Sequence, residues 1–225
     1  GKTFTVKTGS DGQAGIPIGT LSPGTYDATI SYEGNDIYNA SAATAKVTVA
    51  KAGTVISAPN VSLAYNDPDG ELIATIVNEH GKALVVTLNV NFNGNTYTVK
   101  TDSNGRAAIP VGTLKPGKYT ATVSYKGSAN YKASSATAKV TVTKSNTVIS
   151  APNVSFAYKD SSGALVATIV NEHGKPLVVN LNVELNGETF TVRTDSNGQA
   201  SIPIGTLTPG KYTAAISYKG SGNYK

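Results

Sequence analysis

The 225 residues carry a formal charge of +5 and contain no cysteine, methionine or tryptophan, against twelve tyrosines. Without cysteine there are no disulfides and no thiolate metal sites, so stability has to come from packing and ladder hydrogen bonds. The lysines recur singly between apolar strand positions and form no concentrated basic run, which excludes a nucleic-acid binder by charge; no stretch of eighteen apolar residues is present to span a membrane.

Taken in order, the chain repeats itself. The stretch Gly94 to Tyr131 has close copies beginning at Gly1 and Gly187, a period of 93 residues, and such a period is read before any local feature. Residues 1–50 are the back half of a unit: the run GKTFTVKT, a GSDGQ turn, IPIGTLSPG, the run TYDATISY and a closing ATAKVTVA. Residues 51–143 form a complete unit, and residues 144–225 form a third that stops before the counterpart of Ala136 to Thr143. Each unit has the size of an immunoglobulin-like sandwich, about 100 residues.

Alternation within the complete unit places its strands. Pro59 divides the first into Thr54 to Ser57 and Val61 to Tyr65, as proline does on an edge. Leu72, Ala74 and Ile76 share a face; after the NEHGK turn, Leu84, Val86, Leu88, Val90 and Phe92 share another. Asn93-Gly94 is a type I′ hairpin turn, returning the chain through Tyr97 and Val99. Asp102 to Gly105 make a second turn. Then Ala107, Ile109 and Val111, next Tyr119, Ala121, Val123 and Tyr125, and last Ala138, Val140 and Val142 face inward. The expectation is an all-β fold of tandem sandwiches with seven strands each. Leu114, Pro116, Gly117 and Tyr119 have the order of a tyrosine corner, repeated at Tyr26 and Tyr212, in which the hydroxyl bonds a backbone group a few residues upstream.

Few residues carry chemistry. His80 and His173, the two histidines, occupy equivalent turns 93 residues apart and cannot converge on one metal or substrate. No nucleophile has a base beside it, so the chain reads as non-enzymatic, without cofactor. Asn66 to Glu71 has a superficial likeness to a calcium loop, but its counterpart, Lys159 to Ala164, has lost most of the oxygens, and turn chemistry explains both. A lysine–asparagine isopeptide crosslink is disfavoured by parity, with Lys51 and Lys82 left open. Asn39, Asn60 and Asn153 head N-x-S/T sequons and are candidate N-glycosylation sites if the protein crosses a membrane that has such a system.

These motifs carry a resemblance over the whole chain. The turn ending in Gly-Lys-Pro, the Asn-Gly hairpin, T-D-S-N-G, L-x-P-G-x-Y and Y-x-G-x-x-x-Y resemble the group 3 bacterial Ig-like repeats and their archaeal relatives in large adhesin-like surface proteins, notably those of methanogens. The resemblance implies an extracellular, cell-surface stalk or spacer and transfers no catalytic residue. Two alternatives stand beside it. In one, the repeats themselves bind cell-wall polysaccharide or a protein partner. In the other, the chain is a filament subunit: the open edge of the third unit is filled by a strand of a like molecule, with residues 42–49 as the best match.

Overall fold

The computed structural model describes residues 3–225, and among them it is all-β, with sixteen strands and no helix. The middle copy contains eight. They are β3 (Thr54–Ser57), β4 (Val61–Ala64), β5 (Glu71–Asn78), β6 (Thr87–Phe92), β7 (Asn95–Lys100), β8 (Arg106–Pro110), β9 (Gly117–Tyr125) and β10 (Ser134–Thr143). One sheet has the order β3-β5-β8 and the other β4-β10-β9-β6-β7. This is the two-sheet packing of an immunoglobulin-like sandwich. The expected seven strands become eight because the first is cut at Pro59: β3 pairs antiparallel with β5, whereas β4 has crossed to the other sheet and runs parallel to β10. Asn60 bridges the crossing. Its side-chain oxygen accepts from the Lys139 backbone N–H at 2.8 Å, replacing a ladder acceptor that the kinked strand cannot supply.

The two sheets enclose eighteen buried apolar residues, with Ala74, Ile76, Leu88, Val90, Val111, Ala121, Val123 and Val140 fully inaccessible. Burying a side chain of Val, Leu or Ile size stabilises by roughly 1.5–3 kcal/mol, so this cluster dominates the fold. One expected strand position departs from regular pairing. Residues 84–86 are outside β6 because the Thr101 side chain enters the ladder there. Its hydroxyl donates to the Leu84 carbonyl at 2.7 Å and accepts from the Val86 N–H at 2.8 Å, and Thr194 does the same for Leu177 and Val179.

The third copy contains β11 (Thr147–Ser150), β12 (Ala164–Asn171), β13 (Asn180–Leu185), β14 (Glu188–Arg193), β15 (Gln199–Pro203) and β16 (Ala214–Ser217). Its sheets are β11-β12-β15 and β14-β13-β16. The third copy has no counterpart of β10, and the difference is local. Residues 154–157, the counterpart of β4, form no strand, and β16 is four residues long against nine for β9. The buried cluster falls to ten residues. Three of the missing positions belong to β10; at the other five, Ile149, Phe156, Ala214, Ile216 and Tyr218 are only half-buried.

The first copy has two strands, β1 (Gly24–Tyr32) and β2 (Ser41–Val49), paired antiparallel. The runs TFTVKT and IPIG, whose counterparts fall in strands of the other copies, form no strand here, where the first copy has no counterpart of their partners β6 and β5.

Candidate functional site: the joint between repeats

The middle and third copies meet at a small aromatic contact that the sequence did not single out. Tyr65 follows β4, and its N–H donates to the Thr143 carbonyl at the end of β10. The next residue, Asn66, has φ 61°, a left-handed conformation that asparagine tolerates better than other side chains. The turn is held from below at Gly112, where any Cβ would collide with the Asp67 carbonyl oxygen. So held, Tyr65 and Asn66 face the third copy. Tyr65 meets Tyr224 edge to face, with ring centroids 5.4 Å apart and planes at 74°. The Asn66 amide donates to the Tyr224 hydroxyl at 2.9 Å. Such an aromatic pair contributes about 0.5–1.5 kcal/mol beyond its buried area. Burial raises the Tyr224 phenol above its ordinary value, against the opposing Asn66 hydrogen bond.

Tyr224 is positioned by its own loop. The Ser221 hydroxyl accepts from the N–H groups of Asn223 and Tyr224, both at 3.2 Å. Ser128 does the same for Asn130 and Tyr131, and the Asn35 side chain does it for Ile37 and Tyr38. The loop therefore has one conformation in all three copies.

The connector is short and held on both sides. Between Thr143, the last residue of β10, and Ser145, the first residue bonded to the third copy, lies Lys144 alone. Ser145 is fully buried; its N–H donates to the Asn223 carbonyl at 3.0 Å and its carbonyl accepts from the Lys225 N–H at 2.9 Å. Ala52 makes the matching pair with Asn130 and Lys132. One residue later, Asn146 gives Glu172 both its backbone N–H (3.0 Å) and its amide (2.9 Å). Desolvation raises the Glu172 carboxyl, but the bonds from Asn146 and Ser145, with the His173 charge, outweigh it, so the net displacement is downward. His173 and His80 stand in separate copies, as their spacing requires. The backbone N–H of each donates to the asparagine two residues earlier in its turn.

The remaining sequence candidates lie elsewhere. The hydroxyls of Tyr26, Tyr119 and Tyr212 donate to the carbonyls of Ser22, Lys115 and Thr208, four residues upstream, at 2.7, 2.7 and 3.0 Å. The Tyr119 ring lies over Gly117 and tilts against Phe92 at 5.8 Å. In the Asn66 to Glu71 loop, an Asp67 carboxylate oxygen accepts from the Asp69 N–H at 3.0 Å, a turn contact. Among the described residues no group of three or more histidines and carboxylates is arranged to hold a metal. Every described lysine is exposed, Lys82 included, and Lys51 donates to the Ser128 carbonyl at 2.8 Å, so none is buried as an isopeptide would need. Asn39, Asn60 and Asn153 are exposed, with the Asn60 side chain already engaged at Lys139. No described helix is present that could cross a membrane.

No family model and no curated protein matches the chain. Among solved structures, similarity is found to a tetra-tandem repeat in the extending region of a large adhesion protein, at TM-score 0.35 and 17% identity, covering 94% of this chain and 61% of that one. A 1.5-MDa bacterial ice-binding adhesin is similar at TM-score 0.34 and 16% identity, over 85% of this chain and 72% of that one. The β-glucuronidase of Parabacteroides merdae is similar at TM-score 0.28 and 12% identity, over 76% of this chain and 23% of the enzyme.

Proposed function

We propose that the chain is a non-enzymatic extracellular spacer: the C-terminal part of one Ig-like repeat (residues 1–50), a complete repeat (51–143) and a repeat lacking its last strand (144–225), joined end to end in a cell-surface stalk of the adhesin-like kind. The observation that carries this reading is the joint. A flexible string of binding modules needs a linker of many residues, whereas here one residue separates two folded cores, and Tyr65, Asn66 and Tyr224 tie the turn of one copy to the loop of the next. Strands of eight to ten residues, at about 3.3 Å per residue, extend each unit by some tens of Å, so a held joint converts repeat number into reach. Tyr26, Tyr119 and Tyr212 serve as tyrosine corners, each tying the start of its strand to the carbonyl four residues upstream. Asn39 and Asn153 are the more available sequons, since Asn60 is committed to the kink.

Small-angle scattering of the 225-residue chain tests the reading. The joint predicts a scattering profile fitted by a single arrangement of the middle and third units, and Tyr224→Ala should broaden it towards an ensemble. A wild-type profile already requiring an ensemble of inter-unit angles would overturn the spacer mechanism.

A further inference from the structure

Among the described residues, two shallow grooves are the same groove 93 residues apart. One, of about 400 Å³, is lined by Val86, Thr87, Asn89, Tyr125, Lys126 and Gly127. The other, of about 480 Å³, includes Val179, Asn180, Asn182, Tyr218, Lys219 and Gly220, each the exact 93-residue counterpart, and extends to Thr191 and Arg193. Strand register explains the floor. Asn182 stands opposite Thr191 on one side and Ser217 on the other, as Asn89 stands opposite Thr98 and Ser124. Asn180 faces Arg193, and Thr87 faces Lys100. Each floor is therefore a row of amide and hydroxyl groups between a cation on the edge strand β7 or β14 and a lysine in the loop just after β9 or β16. Cations that are scattered singly in sequence are gathered by the sheet.

The chemistry of this arrangement is specific. Neither groove has a carboxylate in its lining; the closest along the same face of β13 is Glu184, two residues beyond Asn182, where the middle copy has Asn91. Between the copies Lys100 becomes Arg193 and Thr87 becomes Asn180, changes that keep a cation and a hydrogen-bonding side chain in place. Tyr125 is buried and Tyr218 half-buried, so neither offers a ring face for a neutral sugar to stack on. A ligand fitted to an amide and hydroxyl floor with flanking cations is polyhydroxylated and anionic. We propose that these paired grooves bind an acidic polysaccharide, its carboxylates on Lys126 or Lys219 and on the edge-strand cation, and its hydroxyls on the asparagine row. One open groove binds weakly. Two on one chain raise the apparent affinity through effective concentration. This is a binding role beyond the spacer reading and does not depend on the joint.

The test is a titration of the 15N-labelled 225-residue chain with oligogalacturonate, followed by NMR. The expected result is movement of the Gly127 and Gly220 amides and of the Asn89 and Asn182 side-chain amides, weakening on the order of tenfold between about 20 and 200 mM salt. With an oligomer too short to span both grooves, replacing Arg193 and Lys219 together with glutamine should weaken binding at the Gly220 site by about fivefold and leave Gly127 unaffected; Lys139→Gln, on β10, should change neither. Glu184→Asn should tighten the third-copy site by about two- to threefold. Equal movement with a neutral cello-oligosaccharide, equal binding of an oligonucleotide of matched charge, or shifts spread over all lysines would each overturn the proposal. So would the absence of any shift at millimolar ligand.

Discussion

The Tyr224 hydroxyl lies 2.9 Å from the side-chain nitrogen of Asn66, 158 residues earlier in the chain. This bond and the ring contact beside it connect two hydrophobic cores that otherwise share no buried residue. In arrays of repeats, stability is approximately the sum of the units and their nearest-neighbour interfaces. Tyr224 contributes to both terms: it packs against the third core and contacts the middle copy.

Tyr224→Phe keeps the ring and deletes the bond. It is expected to lower the stability of the third copy by about 1 kcal/mol, whereas Tyr224→Ala, which also removes the edge-to-face pair and the packing beneath it, should cost about 2–4 kcal/mol. Urea unfolding followed by amide signals of the third copy measures both. Equal losses would mean that the ring contributes nothing at the joint.

Tyr119→Phe should destabilise the middle copy by about 1 kcal/mol, through loss of the bond to the Lys115 carbonyl. Lys118→Ala, one residue away with an exposed side chain, should lie within about 0.5 kcal/mol of wild type. If the two variants have the same midpoint, the hydroxyl has no structural role.

Thr101 is buried, and its hydroxyl closes the gap that residues 84–86 leave in the ladder. Thr101→Val preserves the shape and strands the Val86 N–H, so a loss of about 1–3 kcal/mol is expected. The Thr194→Val counterpart should behave alike in the third copy. Thr101→Ser, which restores the hydroxyl, should recover most of the loss.

The downward displacement of Glu172 fixes a sign for pH dependence. A carboxylate with a lowered folded-state pKa contributes stability that is complete above its unfolded value, about 4.3 for glutamate, and that is lost as pH falls through the folded value. Glu172→Gln should therefore differ from wild type near neutral pH and converge with it in acid. Melting temperatures of the two chains between pH 7 and 3 decide this; a constant offset would remove Glu172 from the connector.

The half-buried Ile149, Phe156, Ala214, Ile216 and Tyr218 should respond to an added counterpart of β10. Joining the sequence of residues 133–144 after Lys225 is expected to protect the amides of 154–157 and 210–218 from hydrogen exchange, since residues 61–64 and 117–125 are laddered to β10 in the middle copy. Unchanged exchange would show that the added strand does not insert.

Local chemistry made much of the fold legible. Period-2 apolar patterning located the strands, Pro59 marked the cut in the first, and Asn-Gly at 93–94 and 186–187 supplied the positive φ angles that hairpins require, 50° and 78°, then 52° and 79°. Each of these depends on a residue and its immediate neighbours. Three features depended on which strand lies beside which, and periodicity does not encode that. The parallel pairing of β4 with β10 joins residues about eighty apart. The entry of Thr101 at Val86 depends on the facing edge of another segment. The Tyr65, Asn66 and Tyr224 joint depends on the placement of two separately folded cores. The grooves are of the same kind: Lys126, Asn89 and Lys100 are ordinary polar residues until the sheet sets them side by side. Period, turns and most strands follow from neighbouring residues along the chain; which strands pair and which side chains meet across copies follow from sheet order, because contacts between distant segments are made there.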